Sequence, residues 1–105
     1  DGVAIRAPVP DGSVVDLTAH VGREVSAEEV NARFQEVAGK GAFEGILHYS
    51  DEPLVSTDII GSSYSSIFDS DLTMTHGNEV KIIAWYDNEW GYSCKVLEMV
   101  RVMSR

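Results

Sequence analysis

Ala84-Trp85-Tyr86-Asp87-Asn88-Glu89-Trp90-Gly91-Tyr92-Ser93 is the stretch on which the fold turns. It enters as the end of an apolar strand, breaks at Asp87-Asn88 and resumes as a long apolar helix. Asp and Asn best satisfy the free amides of a helix start, so the break predicts a capped strand-to-helix corner. Capping and aromatic packing account for such a corner on their own. The same polar side chains also read polar ligands.

The helix beyond the corner, residues 90–103, carries Tyr92, Val96, Leu97, Met99, Val100 and Met103 around most of its circumference. A helix of that kind wants burial on more than one side. A chain of 105 residues has room for one small core, so a further surface is expected to cover it, from another chain or another part of the same one.

Working back from the corner, residues 72–75 and 80–86 flank the hairpin loop His76-Gly77-Asn78-Glu79. Residues 64–69 hold a short strand around Ile67-Phe68, residues 54–60 read as another, and residues 45–49 as a third, stopped by Ser50-Asp51-Glu52-Pro53. Ser26 and Glu29 have capping-box spacing, with Val25 and Val30 as a hydrophobic staple. Val30, Phe34, Val37 and Ala38 continue that helix as an apolar stripe, ended by Gly39 and Gly41. Residues 13–21 form a strand with Val15, Leu17, Ala19 and Val21 on one face. Residues 3–8 alternate as a first strand, with Arg6 opposite the apolar face and the next strand as hairpin neighbour. The order is β-β-α-β-β-β-β-β-α. It predicts an α+β fold, a mainly antiparallel sheet covered by helices.

Eight basic against 17 acidic side chains give a net charge of −9, which argues against nucleic acid as partner. No apolar run approaches the roughly 20 residues of a membrane-spanning helix. The one cysteine, Cys94, makes an internal disulfide impossible and fits a reducing compartment. It lies within the last helix without a His or basic cluster beside it, so it is read as a helix-surface or buried thiol, not a nucleophile. His20, His48 and His76 have no metal-ligand spacing. The start at Asp1-Gly2 is expected to mark a processed or truncated piece.

Four segments in register resemble the phosphorylating glyceraldehyde-3-phosphate dehydrogenases. Gly2 to Pro8 and Ser13-Val-Val-Asp-Leu17 are similar to the family's G-x-A-x-R-V-P and S-V-V-D-L. Gly45-Ile-Leu-His-Tyr49 resembles its G-I-L-x-Y, and Val55-Ser-Thr-Asp58 with Ser65-Ser-Ile-Phe-Asp69 its V-S-x-D and S-S-I-F-D. Trp85 to Ser93 is similar to the terminal W-Y-D-N-E-x-G-Y-S. The resemblance covers the whole chain and implies an incomplete C-terminal domain of that family. Residues 1–87 would be part of the catalytic, substrate-holding domain. Residues 88–105 would be the C-terminal helix that packs on an NAD-binding domain not contained here.

The same resemblance implies the activity and the site. The complete enzyme would be a cytoplasmic, glycolytic homotetramer oxidising glyceraldehyde 3-phosphate with NAD and inorganic phosphate to 1,3-bisphosphoglycerate. Arg6 matches the phosphate-binding arginine, whose planar donors suit phosphate oxygens. Asn88 matches the amide that pairs with the nicotinamide carboxamide, supplying donor and acceptor. Tyr92 matches the ring packed near the nicotinamide. The family's nucleophilic cysteine, in S-C-T-T-N, and its activating histidine have no counterpart here, so this piece alone is expected to be inactive. Residues that choose NAD over NADP, or glyceraldehyde 3-phosphate over erythrose 4-phosphate, belong elsewhere in the family's sequence. The other reading is a free-standing, non-catalytic interaction module that docks through the apolar face of residues 90–103.

Overall fold

A computed structural model describes residues 1–105. In chain order the elements are β1 (Ser13–His20), α1 (Ala27–Val37), β2 (Leu47–Ser50), β3 (Ser66–Asp69), β4 (Met74–His76), β5 (Glu79–Tyr86) and α2 (Trp90–Met103). β5 is the hub of one five-stranded sheet, ordered β1-β5-β3-β2, with β4 also paired to β5. Every pairing made by β5 is antiparallel, while β2 and β3 run parallel. The expected α+β class and mainly antiparallel sheet are what the chain forms.

α1 lies on one face of this sheet. Its start carries the expected capping box: Ser26 Oγ accepts from the Glu29 amide at 3.1 Å, and Glu29 Oε2 accepts from the Ser26 amide at 3.0 Å. From there Phe34 stacks flat on Phe68 of β3, with ring centroids 4.0 Å apart, and Tyr49 of β2 leans on the same ring. Between α1 and the β1/β5 ladder an apolar groove is lined by Ala19, Val21, Val30, Phe34, Val80 and Ile82. Of the apolar face read from β1, Ala19 and Val21 meet this groove, while Val15 and Leu17 stay 45% and 49% exposed. The hairpin before β5 is tighter than expected, His76 pairing directly with Glu79 across a two-residue turn.

Two expected strands do not form. Residues 3–8 join no ladder, and Val3 and Ile5 are 87% and 86% exposed. Pro8 and Pro10 lack the amide donors a hairpin to β1 would need, and nothing covers the apolar face of that segment. Residues 54–60 form instead a 3-10 turn at Ser56–Asp58. There Asp58 Oδ2 accepts from the Val55 amide at 2.8 Å and the Asp58 amide donates to the Val55 carbonyl at 2.9 Å. Those local bonds replace a ladder. The turn drives Ile59 inward until it is fully buried.

Candidate functional site

The corner after β5 is assembled by three segments that are remote in sequence. In the β1/β5 ladder Ser13 faces Tyr86, so the residues just before Ser13 run beside those just after Tyr86. The third segment is the loop after the buried Ile59. Gly12 adopts φ +92°, and a Cβ there would stand 3.1 Å from the Ser56 carbonyl oxygen and 3.3 Å from Ile59 Cδ1. Only glycine lets the two segments meet so closely.

Asp87 is the knot. It is 2% exposed. Its Oδ1 accepts from the amides of Glu89 (2.9 Å) and Trp90 (2.8 Å), and its Oδ2 from the Gly61 amide (2.8 Å). One carboxylate therefore caps the start of α2 and pins the 59–64 loop to it. Burial pushes its pKa up, yet the amide donors of Gly61, Trp90 and Glu89, together with the Asp11 side chain, outweigh burial and hold the carboxyl below its ordinary value. Of the two polar residues at the break, Asp87 binds the first amides of α2, from two residues before the N-cap position Glu89. Asn88 does not.

Asn88 turns the other way and stays exposed. Its Oδ1 accepts from the Gly12 amide and from Ser13 Oγ, each at 3.2 Å, while its Nδ2 bonds to nothing in the chain. The Gly12 amide, which donates also to Asp11 Oδ1 at 2.7 Å, can only donate, so the carboxamide oxygen is the atom that fits it. Around the neighbouring Asp87, an open pocket of about 310 Å³ is lined also by Asp11, Ile60, Gly61, Glu89, Trp90 and Ser93. Its carboxylates disfavour an anion there.

The other expected site residues lie apart. Tyr92, in the first turn of α2, is 70% exposed. Arg6 is exposed in the unpaired N-terminal segment and makes no ion pair or hydrogen bond, so nothing joins it to the corner. Cys94 is half-buried in α2. His20 lies beside Glu79, and His48 leans on Tyr64.

Three contributors to the corner escaped the sequence reading. Gly12 and Ser13 gave no sign of reaching Asn88, since that contact is written only in the strand register. Asp69 is 1% exposed and accepts from Trp85 Nε1 at 3.0 Å, tying the end of β3 to the end of β5. Its one legible sign was a carboxylate directly after the buried pair Ile67-Phe68.

Residues 1–88 match the family model described as glyceraldehyde 3-phosphate dehydrogenase, C-terminal domain. The chain is 48% identical over its full length to a glyceraldehyde-3-phosphate dehydrogenase of Mycobacterium avium, and 49% to one of Mycobacterium leprae. It is 50% identical over 94% of its length to one of Streptomyces coelicolor. In each case it spans less than a third of the relative, 31%, 31% and 30%.

Proposed function

Since the chain belongs to the glyceraldehyde 3-phosphate dehydrogenase family, as its C-terminal domain, we propose that it works as the C-terminal part of a complete NAD-dependent dehydrogenase. That enzyme would oxidise glyceraldehyde 3-phosphate with inorganic phosphate to 1,3-bisphosphoglycerate, as a cytoplasmic homotetramer in glycolysis. The chain's own part is to hold the nicotinamide end of the cofactor and a phosphate group of the substrates.

The observation that carries this reading is the state of Asn88. An exposed carboxamide whose oxygen is fixed and whose two N–H groups have no partner is prepared to hold a neutral polar group. A nicotinamide carboxamide is such a group. NAD, when bound, accepts hydride from the substrate. Asn88 would orient its ring by a hydrogen bond, and Tyr92 would lay an aromatic face near it. Arg6, free of any ion pair, would bind substrate phosphate through its planar donors. α2 would pack its apolar circumference on the NAD-binding domain. NADP in place of NAD is compatible with all these roles.

The test is substitution in the complete dehydrogenase. Asn88→Ala should weaken NAD binding by about 1–3 kcal/mol, the worth of one or two hydrogen bonds. Unaltered cofactor affinity and unaltered hydride stereochemistry would end this assignment. Arg6→Ala should act on phosphate, raising its KM more than that of NAD; a variant with wild-type phosphate kinetics would remove Arg6 from the site.

A further inference from the structure

We propose that Ser13, with the amide of Gly12, is a positioning residue that makes Asn88 a donor-only reader of the cofactor's amide carbonyl. The inference rests on the nicotinamide reading given above and goes beyond it. A carboxamide can in principle pair with another carboxamide through both a donor and an acceptor. Here the acceptor is spent. A carbonyl oxygen has two lone pairs, and both find donors within the chain, the Gly12 N–H and the Ser13 O–H, each at 3.2 Å.

What Asn88 offers outward is only its NH₂ group. The Ser13 hydroxyl is well suited to this task because it sits at the first rung of β1, opposite Tyr86, which comes two residues before Asn88. The strand register thus fixes its height. Without the Ser13 hydroxyl, Oδ1 keeps one donor at 3.2 Å, and that amide also donates to Asp11 Oδ1 at 2.7 Å. The carboxamide would then rotate about its last torsion, and the fixed donor would be lost.

The experiment uses the complete dehydrogenase and two cofactors, NAD and its 3-acetylpyridine analogue, which keeps the carbonyl and replaces the NH₂ by a methyl. Dissociation constants are measured by fluorescence titration for Ser13→Ala, Ser13→Thr, Asn88→Ala and the Ser13→Ala/Asn88→Ala pair. Ser13→Ala should weaken NAD binding about two- to tenfold, the range of one neutral hydrogen bond, and Ser13→Thr should restore it. Once Asn88 is Ala, the Ser13 substitution should add nothing, since its effect runs through Asn88. The Asn88→Ala penalty should be equal for the two cofactors. A penalty confined to NAD would mean that Asn88 accepts from the cofactor's NH₂ and overturns the donor-only polarity. An Asn88 effect with no Ser13 effect, or with additive effects in the pair, overturns the positioning role alone. No Asn88 effect with either cofactor removes the nicotinamide reading itself, and the inference with it.

Discussion

Asp87 and Asn88 divide between them the two tasks a corner residue can have. The sequence made both legible as corner residues and could not say which would cap and which would stay available. The division is set at long range: Gly61 offers its amide to Asp87, and Gly12 and Ser13 offer donors to Asn88. Asp87→Asn tests the first task with little change of shape. One oxygen becomes an NH₂ facing a backbone N–H, so the variant should be destabilised by about 1–3 kcal/mol in a urea titration. The pH dependence has a definite sign. The folded carboxyl is held below the ordinary aspartate value of 3.8, so its contribution is complete above that value and drains away as pH falls below it through the folded value. Wild type and Asp87→Asn should therefore differ most near neutrality and converge in strong acid. A gap that stays constant down to acid pH would mean that the charge is not what Asp87 contributes.

At the scale of elements, local patterns were legible and pairings were not. α1 is announced by its capping box, and β1 and β5 by alternation, because each signal lies within a few residues of chain. The parallel partnership of β2 and β3 has no local sign. Residues 3–8 and 54–60 have strand-like patterns, yet a strand exists only with a neighbour to take its backbone bonds, and each segment found another solution or none. α2 shows what a single position can decide. A Cβ at Gly91 would lie 2.9 Å from the Tyr64 carbonyl oxygen and 3.4 Å from that of Ser62, both backbone atoms that cannot swing aside. Alanine is the better helix former by about 1 kcal/mol, but forcing atoms into such a contact costs about 1–3 kcal/mol. Gly91→Ala should therefore lower the unfolding midpoint despite the gain in propensity. Ser26→Ala, which removes one cap and adds no clash, should cost about 1 kcal/mol. A Gly91→Ala chain more stable than wild type would mean that α2 does not sit as closely on the 62–64 segment.

The molecule as a whole carries more surface than its mass requires. A compact chain of 11.5 kDa exposes roughly 5,800 Å², whereas this one exposes 7600 Å². Its radius of gyration is 15.0 Å against roughly 13 Å for a compact domain of this length. Only 11 of 105 residues are buried, and α2 is the largest single source of exposed apolar surface, with Leu97, Met99 and Met103 59–78% exposed. α2 is tied down only near its start, by Asp87 on the amides of Glu89 and Trp90, by Gly91 against the 62–64 backbone and by Lys95 Nζ donating to the Gly45 carbonyl at 2.7 Å. Beyond Lys95 no side chain of the helix bonds to the sheet or its loops. A 14-residue helix is marginal on its own, so its second half draws its stability from whatever covers it. Amide hydrogen exchange followed by mass spectrometry should therefore find residues 96–103 exchanging far faster than β5 in the 105-residue chain, with local opening close to zero free-energy cost. In the complete dehydrogenase the same amides should be strongly protected, because packing on the neighbouring domain would supply the missing burial. Equal protection of 96–103 in both samples would mean that α2 is stable without a partner, and its apolar circumference would then need another explanation.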